Sequence, residues 1–479
     1  MTTATLDSVR DRLAAVEQDH LLRFHDELDP AAAASLIEQI NSIELDSLPR
    51  LIDTYVHGDE HFEIPTDIEP APYYPRDPTS PAHPWDRDAA VELGEQLIAQ
   101  GKVGCFTVAG GQGSRLGYEG PKGCYPTGVI SNKPLFQIFA EGILAASRKH
   151  QRPIPWYIMT SPLNHEATEA FFREHDHFGL CAEDVMFFMQ GTLPSFDKQA
   201  GKVLLAGKST IATSPDGHGG AIKALHASGA TADMAKRGVE HISYWQVDNP
   251  NIHVLDPVFI GLHAGAEDSS AEMSSKMLPK AEAKEKVGVF CRSAGRTMVV
   301  EYSDLPDALA EQTNPDGSLR FIAGSPAIHM LGVAFVDKVA SDPAFALPYH
   351  RAVKKVPYVD LETGHPVEPS EPNAVKLERF VFDAIPMAGS SIVLETDRVE
   401  EFAPVKNKDG VDSIITSKRL QTERAARWLE TAGVTVPRNS DGTPDCVIEI
   451  GPLTATSAGA LAGRDDLPGA IRAGSNVVL

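Results

Sequence analysis

The sequence predicts an α/β protein: a central, doubly wound sheet, a helical N-terminal region before it and a small α/β domain after it. Three observations predict this. Short apolar runs recur between about residues 100 and 395, bounded by turn residues, as buried strands are. Helical stretches lie between several of them, and alternating strands and helices build a mostly parallel sheet. The chain has 479 residues, enough for two or three domains at roughly 100–200 residues each.

Taken in order, "LDSVRDRLAAVEQDHLLRFHDEL" spaces Leu6, Val9, Leu13, Val16, Leu21 and Leu22 as one amphipathic helix. A second helix follows, with Asp29 as N-cap and Pro30 in its first turn. Ile64 to Trp85 holds seven prolines and reads as an extended linker. The helix "RDAAVELGEQLIAQG" then leads into the strand "KVGCFTVAG". Further strands are expected at "IPWYIMT", "DVMFFMQ", "HISYWQVDN", "KVGVFC", "TMVVEYS", "AIHMLGVAFV", "RFVFDAI" and "SSIVLET", and a helix at "NHEATEAFFREHDHFG". A last helix, "SKRLQTERAARWLETAG", marks the small C-terminal domain. The expected segments are 1–87, 88–385 and 386–479.

Composition narrows the function. The net charge of −23 argues against a nucleic-acid or anionic-membrane surface. No apolar run approaches the roughly 18–20 residues of a membrane helix. The N-terminus is polar, without a signal-peptide core. Five scattered cysteines, with no CxxC spacing, point to reduced thiols in the cytoplasm. "EHDHF", with His175 and His177, lacks further ligands and reads as surface, as do Lys354 and Lys355.

The stretch "VAGGQGSRLGYEGPKG" carries the chemistry. Five glycines lie between Gly110 and Lys122, directly after a strand, where α/β sheets bind ligands. A Walker A loop needs GxxxxGK[ST], but Pro121 and Gly123 flank Lys122. A dinucleotide fingerprint needs GxGxxG, but Gly117 comes one residue late. What remains is GGxG[ST]R-(x)5-PK. Gly110, Gly111 and Gly113 permit positive φ and let a base or phosphate touch the backbone. Arg115 offers a fork for phosphate oxygens and Lys122 a point charge.

This motif resembles that of sugar-phosphate nucleotidyltransferases. The blocks "HLLRFHDEL", "PLFQIFAEGI", "FFMQGTLPSFD", "SPDGHGGAIKAL", "WQVDNPNIHVLDPVFIG", "VVEYSDL" and "FAPVKN" extend the resemblance nearly end to end, to the eukaryotic-type UDP-N-acetylhexosamine pyrophosphorylases. It implies a Rossmann-like, mixed, GT-A-like sheet and one reaction: UTP and a sugar 1-phosphate give a UDP-sugar and pyrophosphate. It implies a backbone seat for uridine at Ala109, Gly110, Gly111 and Gly217, with Gln190 pairing uracil. Arg115, Lys122 and Lys406 would be the catalytic cations, and Asp248 the Mg²⁺ ligand, Asn249 orienting the site beside it. Gly288, Glu301 and Tyr302 match sugar-binding positions. Asp383 is a second acidic candidate for the metal, or a helix cap. Cys105 and Cys124 flank the loop, but uridylyl transfer needs no thiol.

Departures concentrate on the sugar side. His218 stands where N-acetylglucosamine enzymes usually have Asn. "GSPAIHM" stands where they carry Gly-Asn-Ile-x-Asn-His, so Ser325 and Ile328 replace two asparagines. The framework therefore points to N-acetylglucosamine 1-phosphate. The alternatives are glucose, galactose or another hexose 1-phosphate, or a protein that binds UDP-sugars without turning them over.

Overall fold

A computed structural model describes residues 6–58, 64–342 and 345–479. The polar stretch read at the extreme N-terminus therefore lies in part, at residues 1–5, outside the described residues. The chain packs as two compact units. The first gathers 1–63, 191–220 and 347–381; the second gathers 64–190, 221–346 and 382–479. Neither is continuous in sequence, whereas periodicity divides the chain into three consecutive segments.

In the first unit, helix α1 (Leu6–Ala15) and helix α2 (Pro30–Ser42) pack Leu13, Leu36 and Ile40 against Phe196, Val375 and Leu377. Asp29 caps α2, accepting from Ala31 and Ala32 N–H at 2.9 Å each. The single long helix expected up to Leu28 breaks after Ala15. Glu17 adopts φ 57°, and the buried Gln18 accepts from Val203 N–H at 2.8 Å. That tertiary bond outweighs the helical periodicity. A three-stranded antiparallel sheet joins Phe196–Asp197, Ala374–Glu378 and His350–Lys354.

The second unit holds an eleven-stranded mixed sheet. Its strands are β1 (Glu69–Pro70), β2 (Val103–Val108), β3 (Trp156–Thr160), β4 (Val185–Met189), β5 (His241–Gln246), β6 (Met273–Pro279), β7 (Val289–Ser293), β8 (Arg296–Val300), β9 (Ala323–Gly324), β10 (His329–Gly332) and β11 (Val393–Glu395). The order is β1-β7-β9-β6-β10-β5-β2-β3-β4, with β8 on β7 and β11 on β6. Strands β5, β2, β3 and β4 run parallel, so their carboxyl ends share one edge. Beyond β5 the pairing turns antiparallel through β10 and β6. Helices α3 (Arg87–Ala99) and α5 (His165–Glu174) follow the reading of the sequence; α4 (Leu135–His150) and α6 (Pro257–Gly265) are not among the helices it names, and α7 (Val333–Ser341) takes over the second half of "AIHMLGVAFV", expected as strand throughout. The core stacks Phe136, Phe139, Trp156, Phe172 and Trp245.

Two further expectations change. "RFVFDAI" is a 3₁₀ turn, Val381–Met387, with Pro386 inside it, rather than a strand; Asp383 lies in this turn. The proline-rich stretch is extended but not a free linker. Glu69 pairs with Arg292, and Tyr74 exchanges backbone hydrogen bonds with Val393 and Glu395 while its hydroxyl reaches Asp268 at 2.5 Å. Near the C-terminus, α8 (Ile414–Thr431) packs Ala426, Trp428 and Leu429 on Ile448 and Leu461, a small core of its own inside the second unit.

Helices α3 and α6 cross at glycines. A Cβ on Gly261 would sit 1.8 Å from the carbonyl oxygen of Ala90, and one on Gly94 1.9 Å from that of Pro257. Backbone atoms cannot yield there. Gly261→Ala should therefore cost about 1–3 kcal/mol by denaturant unfolding. Unchanged stability would mean the crossing is looser than these distances.

Candidate active site

The site lies where β2, β4 and β5 end, because parallel strands deliver their following loops to one edge. The glycine loop leaves β2 and folds on itself. Gly113 N–H donates to Gly120 C=O at 2.9 Å, and Lys122 N–H to Gly111 C=O at 3.1 Å. The left-handed positions are Gly117 (φ 71°) and Gly120 (φ 135°), not the first three glycines. Gly110 and Gly113 serve close approach instead. A Cβ on Gly113 would meet Tyr118 Cδ1 at 2.7 Å, and one on Gly110 the Gln190 amide at 3.0 Å. Arg115 is exposed and, among the described residues, makes no ion pair.

Asn164, at the N-terminus of α5, is a residue that sequence reasoning misses. It is 1% exposed, and its amide donates to the carbonyls of Ala109 (2.9 Å) and Gly111 (3.2 Å). Its oxygen accepts from Ser161 N–H at 2.8 Å. An Asn before a helix reads only as a cap, so nothing in the pattern marks it. Ala109 gives its carbonyl to Asn164 and its N–H to Met159, so both its backbone groups are committed within the protein. These bonds fix the start of the loop.

Asp248 follows β5. Lys122 Nζ lies 3.4 Å from its Oδ2, and both side chains are largely buried. Burial pushes the carboxyl pKa up, but Lys122 and Lys406 outweigh that and hold it below the ordinary carboxylate value. Lys406 arrives from far along the chain. Val405 N–H donates to the Asp248 carbonyl at 2.8 Å, setting the next residue beside the carboxylate. The Lys406 ammonium stands 3.4 Å from Asp412 and 5.4 Å from the Phe402 ring centroid. The Asn249 amide donates to Glu401 C=O at 2.6 Å, and its oxygen accepts from Ala403 N–H at 3.0 Å, so it holds the 401–405 segment against the end of β5.

Ser325 and Ile328 border the same carboxylate. A cavity of about 70 Å³ is lined by Asp248, Asn249, Lys406, Ser325 and Ile328 among others. Ser325 N–H donates to Gly288 C=O at 2.8 Å, and a Cβ on Gly288 would lie 3.4 Å from Glu301 Oε1. The sugar-side candidates Gly288, Glu301, Ser325 and Ile328 thus form one surface running to Asp248. Tyr302, beside Glu301, is 46% exposed.

Gly217 and His218 belong to the first unit. Gly217 has φ 82°, and a Cβ there would lie 2.4 Å from Arg379 C=O. The His218 ring accepts from Val381 N–H at 3.1 Å and stacks on Phe380. Burial and then His350 lower its pKa to about 4, so it is neutral, as an acceptor must be. These packing roles account for a histidine there without a sugar. The thiols of Cys105 and Cys124 are buried, Cys124 pushed up to about 12, and neither suits a nucleophile. His175 gives its Nδ1 to Phe171 C=O, and the one cluster of potential metal ligands among the described residues is elsewhere, at His253, Asp256 and Glu401.

A family model described as UTP–glucose-1-phosphate uridylyltransferase matches residues 88–434. The UDP-N-acetylhexosamine pyrophosphorylase-like protein 1 of Xenopus tropicalis is 37% identical, covering 94% of this chain and 92% of its own. The UDP-N-acetylglucosamine pyrophosphorylase of Saccharomyces cerevisiae is 40% identical over 72% of this chain and 73% of its own. A crystal structure of the Trypanosoma brucei uridine diphosphate N-acetylglucosamine pyrophosphorylase, in complex with inhibitor, superposes with a TM-score of 0.81 at 26% identity, covering 97% of each chain. The cation-flanked Asp248, the folded glycine loop and this similarity along nearly the whole length lead to one conclusion: the chain belongs to the UTP–glucose-1-phosphate uridylyltransferase family.

Proposed function

We propose that this uridylyltransferase joins UTP to N-acetylglucosamine 1-phosphate, releasing pyrophosphate. The observation that carries the chemistry is Asp248, ionised between Lys122 and Lys406 at the open edge of the sheet. An oxygen of the sugar phosphate attacks the α-phosphorus in line; one P–O bond forms, and the bond to the departing pyrophosphate breaks. The protein's task is positioning and charge neutralisation. Arg115 and Lys122 would hold the triphosphate and neutralise the leaving group, and Lys406 would act on the reacting phosphates. Gln190, whose amide lies against Gly110 and has no protein partner among the described residues, is available to pair uracil.

Enzymes of this family generally use a divalent metal. Asp248 fits Mg²⁺: it is an ionised oxygen donor next to the expected phosphates, and Mg²⁺ takes one or two carboxylates plus phosphate oxygens and waters. Bound there, the ion would supply charge neutralisation. Glu301 and the backbone of Gly288 would take sugar hydroxyls. The five cysteines are all unpaired thiols, which suits a reducing cytoplasm.

The sugar assignment rests on the relatives that the chain resembles most fully. A plain hexose 1-phosphate is the second reading, favoured by Ile328, which is 4% exposed and lines the cavity by Asp248. A panel of sugar 1-phosphates with UTP and Mg²⁺ decides between them. Fastest pyrophosphate release is expected from N-acetylglucosamine 1-phosphate, and release from no sugar at all would reject uridylyl transfer. Asp248→Ala should lower kcat at least about 10²–10³-fold; a fully active variant would remove the metal assignment. Ile328→Asn should raise the kcat/KM ratio for the N-acetylated over the plain hexose; a constant ratio would clear Ile328 of any role in selection. Asn164→Ala should cost about 1–3 kcal/mol and raise KM for UTP, since the Ala109 carbonyl loses its side-chain donor and the Gly111 carbonyl one of two. Normal KM would show that the loop holds its shape without Asn164.

A further inference from the structure

Lys276 sits in the middle of β6, 1% exposed, a charge in a strand buried on both faces. Its ammonium lies 2.6 Å from Asp256 Oδ2 and 2.5 Å from Glu401 Oε2. Burial works against the charged form, but the two carboxylates outweigh it and raise its pKa. Glu401 is equally committed: its Oε2 accepts from the Thr396 hydroxyl at 2.6 Å, and its Oε1 from His253 N–H at 3.4 Å. Asp256 caps α6 through Val258 N–H. His253, Asp256 and Glu401 are also the one grouping among the described residues with ligand atoms close enough to share a metal, and the Lys276 ammonium already supplies the cation.

Glu401 begins the segment that ends in Lys406. Its carbonyl is held by the Asn249 amide, the Ala403 N–H by the Asn249 oxygen, the Ala403 carbonyl by the Ser417 hydroxyl at 2.6 Å, and the Val405 N–H by the Asp248 carbonyl. From Glu401 to Val405 the segment is fastened to the residues that carry the ionised carboxylate. We propose that Lys276 and Glu401 are positioning residues for Lys406: their buried ion pair fixes the start of this segment and so sets where the lysine meets the reacting phosphates. The inference rests on the uridylyltransferase reading of the site.

A buried ion pair is weak evidence for stability, because apolar residues of the same volume often serve as well or better. Its distinctive property is direction. Apolar contacts tolerate sliding, whereas an ammonium between two carboxylates, each holding further donors, has one position. A catalytic group displaced by about 1 Å loses up to about 10²-fold in rate, so such a fixing point affects turnover more than substrate binding.

Glu401→Gln keeps the shape and removes the charge. It should lower kcat about ten- to hundredfold, with KM for UTP little changed. The discriminating measurement is a double-mutant cycle. In a Lys406→Ala background, adding Glu401→Gln should cost almost nothing further, because the group it positions is gone. Equal losses in both backgrounds, or full kcat in Glu401→Gln, would overturn the positioning role. Should Glu401→Gln not fold, Thr396→Val removes only the hydroxyl bond to Glu401 and enters the same cycle: a loss of kcat that vanishes without Lys406 supports the role, and an equal loss in both backgrounds overturns it. Absence of turnover in the unaltered enzyme with every sugar would instead reject the reading on which this one rests.

Discussion

One buried carboxylate sets the terms for the rest of the site. Asp248 stays ionised in a largely dry position only because two lysines, from opposite ends of the sequence, stand beside it. Each lysine needs its own scaffold. Lys122 is delivered by a glycine loop that turns back on itself, Lys406 by a segment laid along Asp248 and Asn249. In a chain with 66 acidic and 43 basic residues, a site for polyanions has to be made locally. Arg115, exposed and without an ion pair among the described residues, lies in the same loop as Lys122.

The fold is legible where strands are buried on both faces. β2, β3 and β5 read directly from apolar runs, since a covered parallel sheet tolerates no polar alternation. It is illegible where distant contacts decide. Gln18 breaks a well-patterned helix because its partner, Val203, lies 185 residues away. "RFVFDAI" carries strand-like residues, but Pro386 cannot donate to a ladder. The first unit is assembled from three separated stretches, and pairs such as Ala374 with Asp197 leave no local period to read.

The candidate site divides in the same way. Charged and glycine-rich features stand out, because their chemistry is unusual for a strand end, and the structure places Lys122 and Lys406 beside Asp248. Supporting residues do not read. Asn164 passes for a helix cap, and Lys276 and Glu401 for surface charge, which is where lysine and glutamate normally lie. Nor do the bonds of Asn249 to Glu401 and Ala403, or of Ala109 to Asn164, read from the sequence, since their partners lie far along the chain. His218 looks like a mark of sugar preference, and its ring is engaged in packing within the first unit.

That last point moves the question of selectivity. With His218 engaged by Val381 and Phe380, the departures that still border Asp248 are Ser325 and Ile328. The backbone there is held in place from both sides, since Ser325 N–H meets Gly288 C=O and Lys276 N–H meets Ile328 C=O at 3.0 Å. On the proposed reading, selection at these positions is a matter of side-chain chemistry on a backbone held from both sides. A site that hydrogen-bonds a substrate group rejects analogues lacking it far more strongly than an apolar surface rejects an added group. On the proposed reading, an isoleucine in this position lowers discrimination, and Glu301 and the Gly288 backbone are the remaining candidates for recognising the sugar.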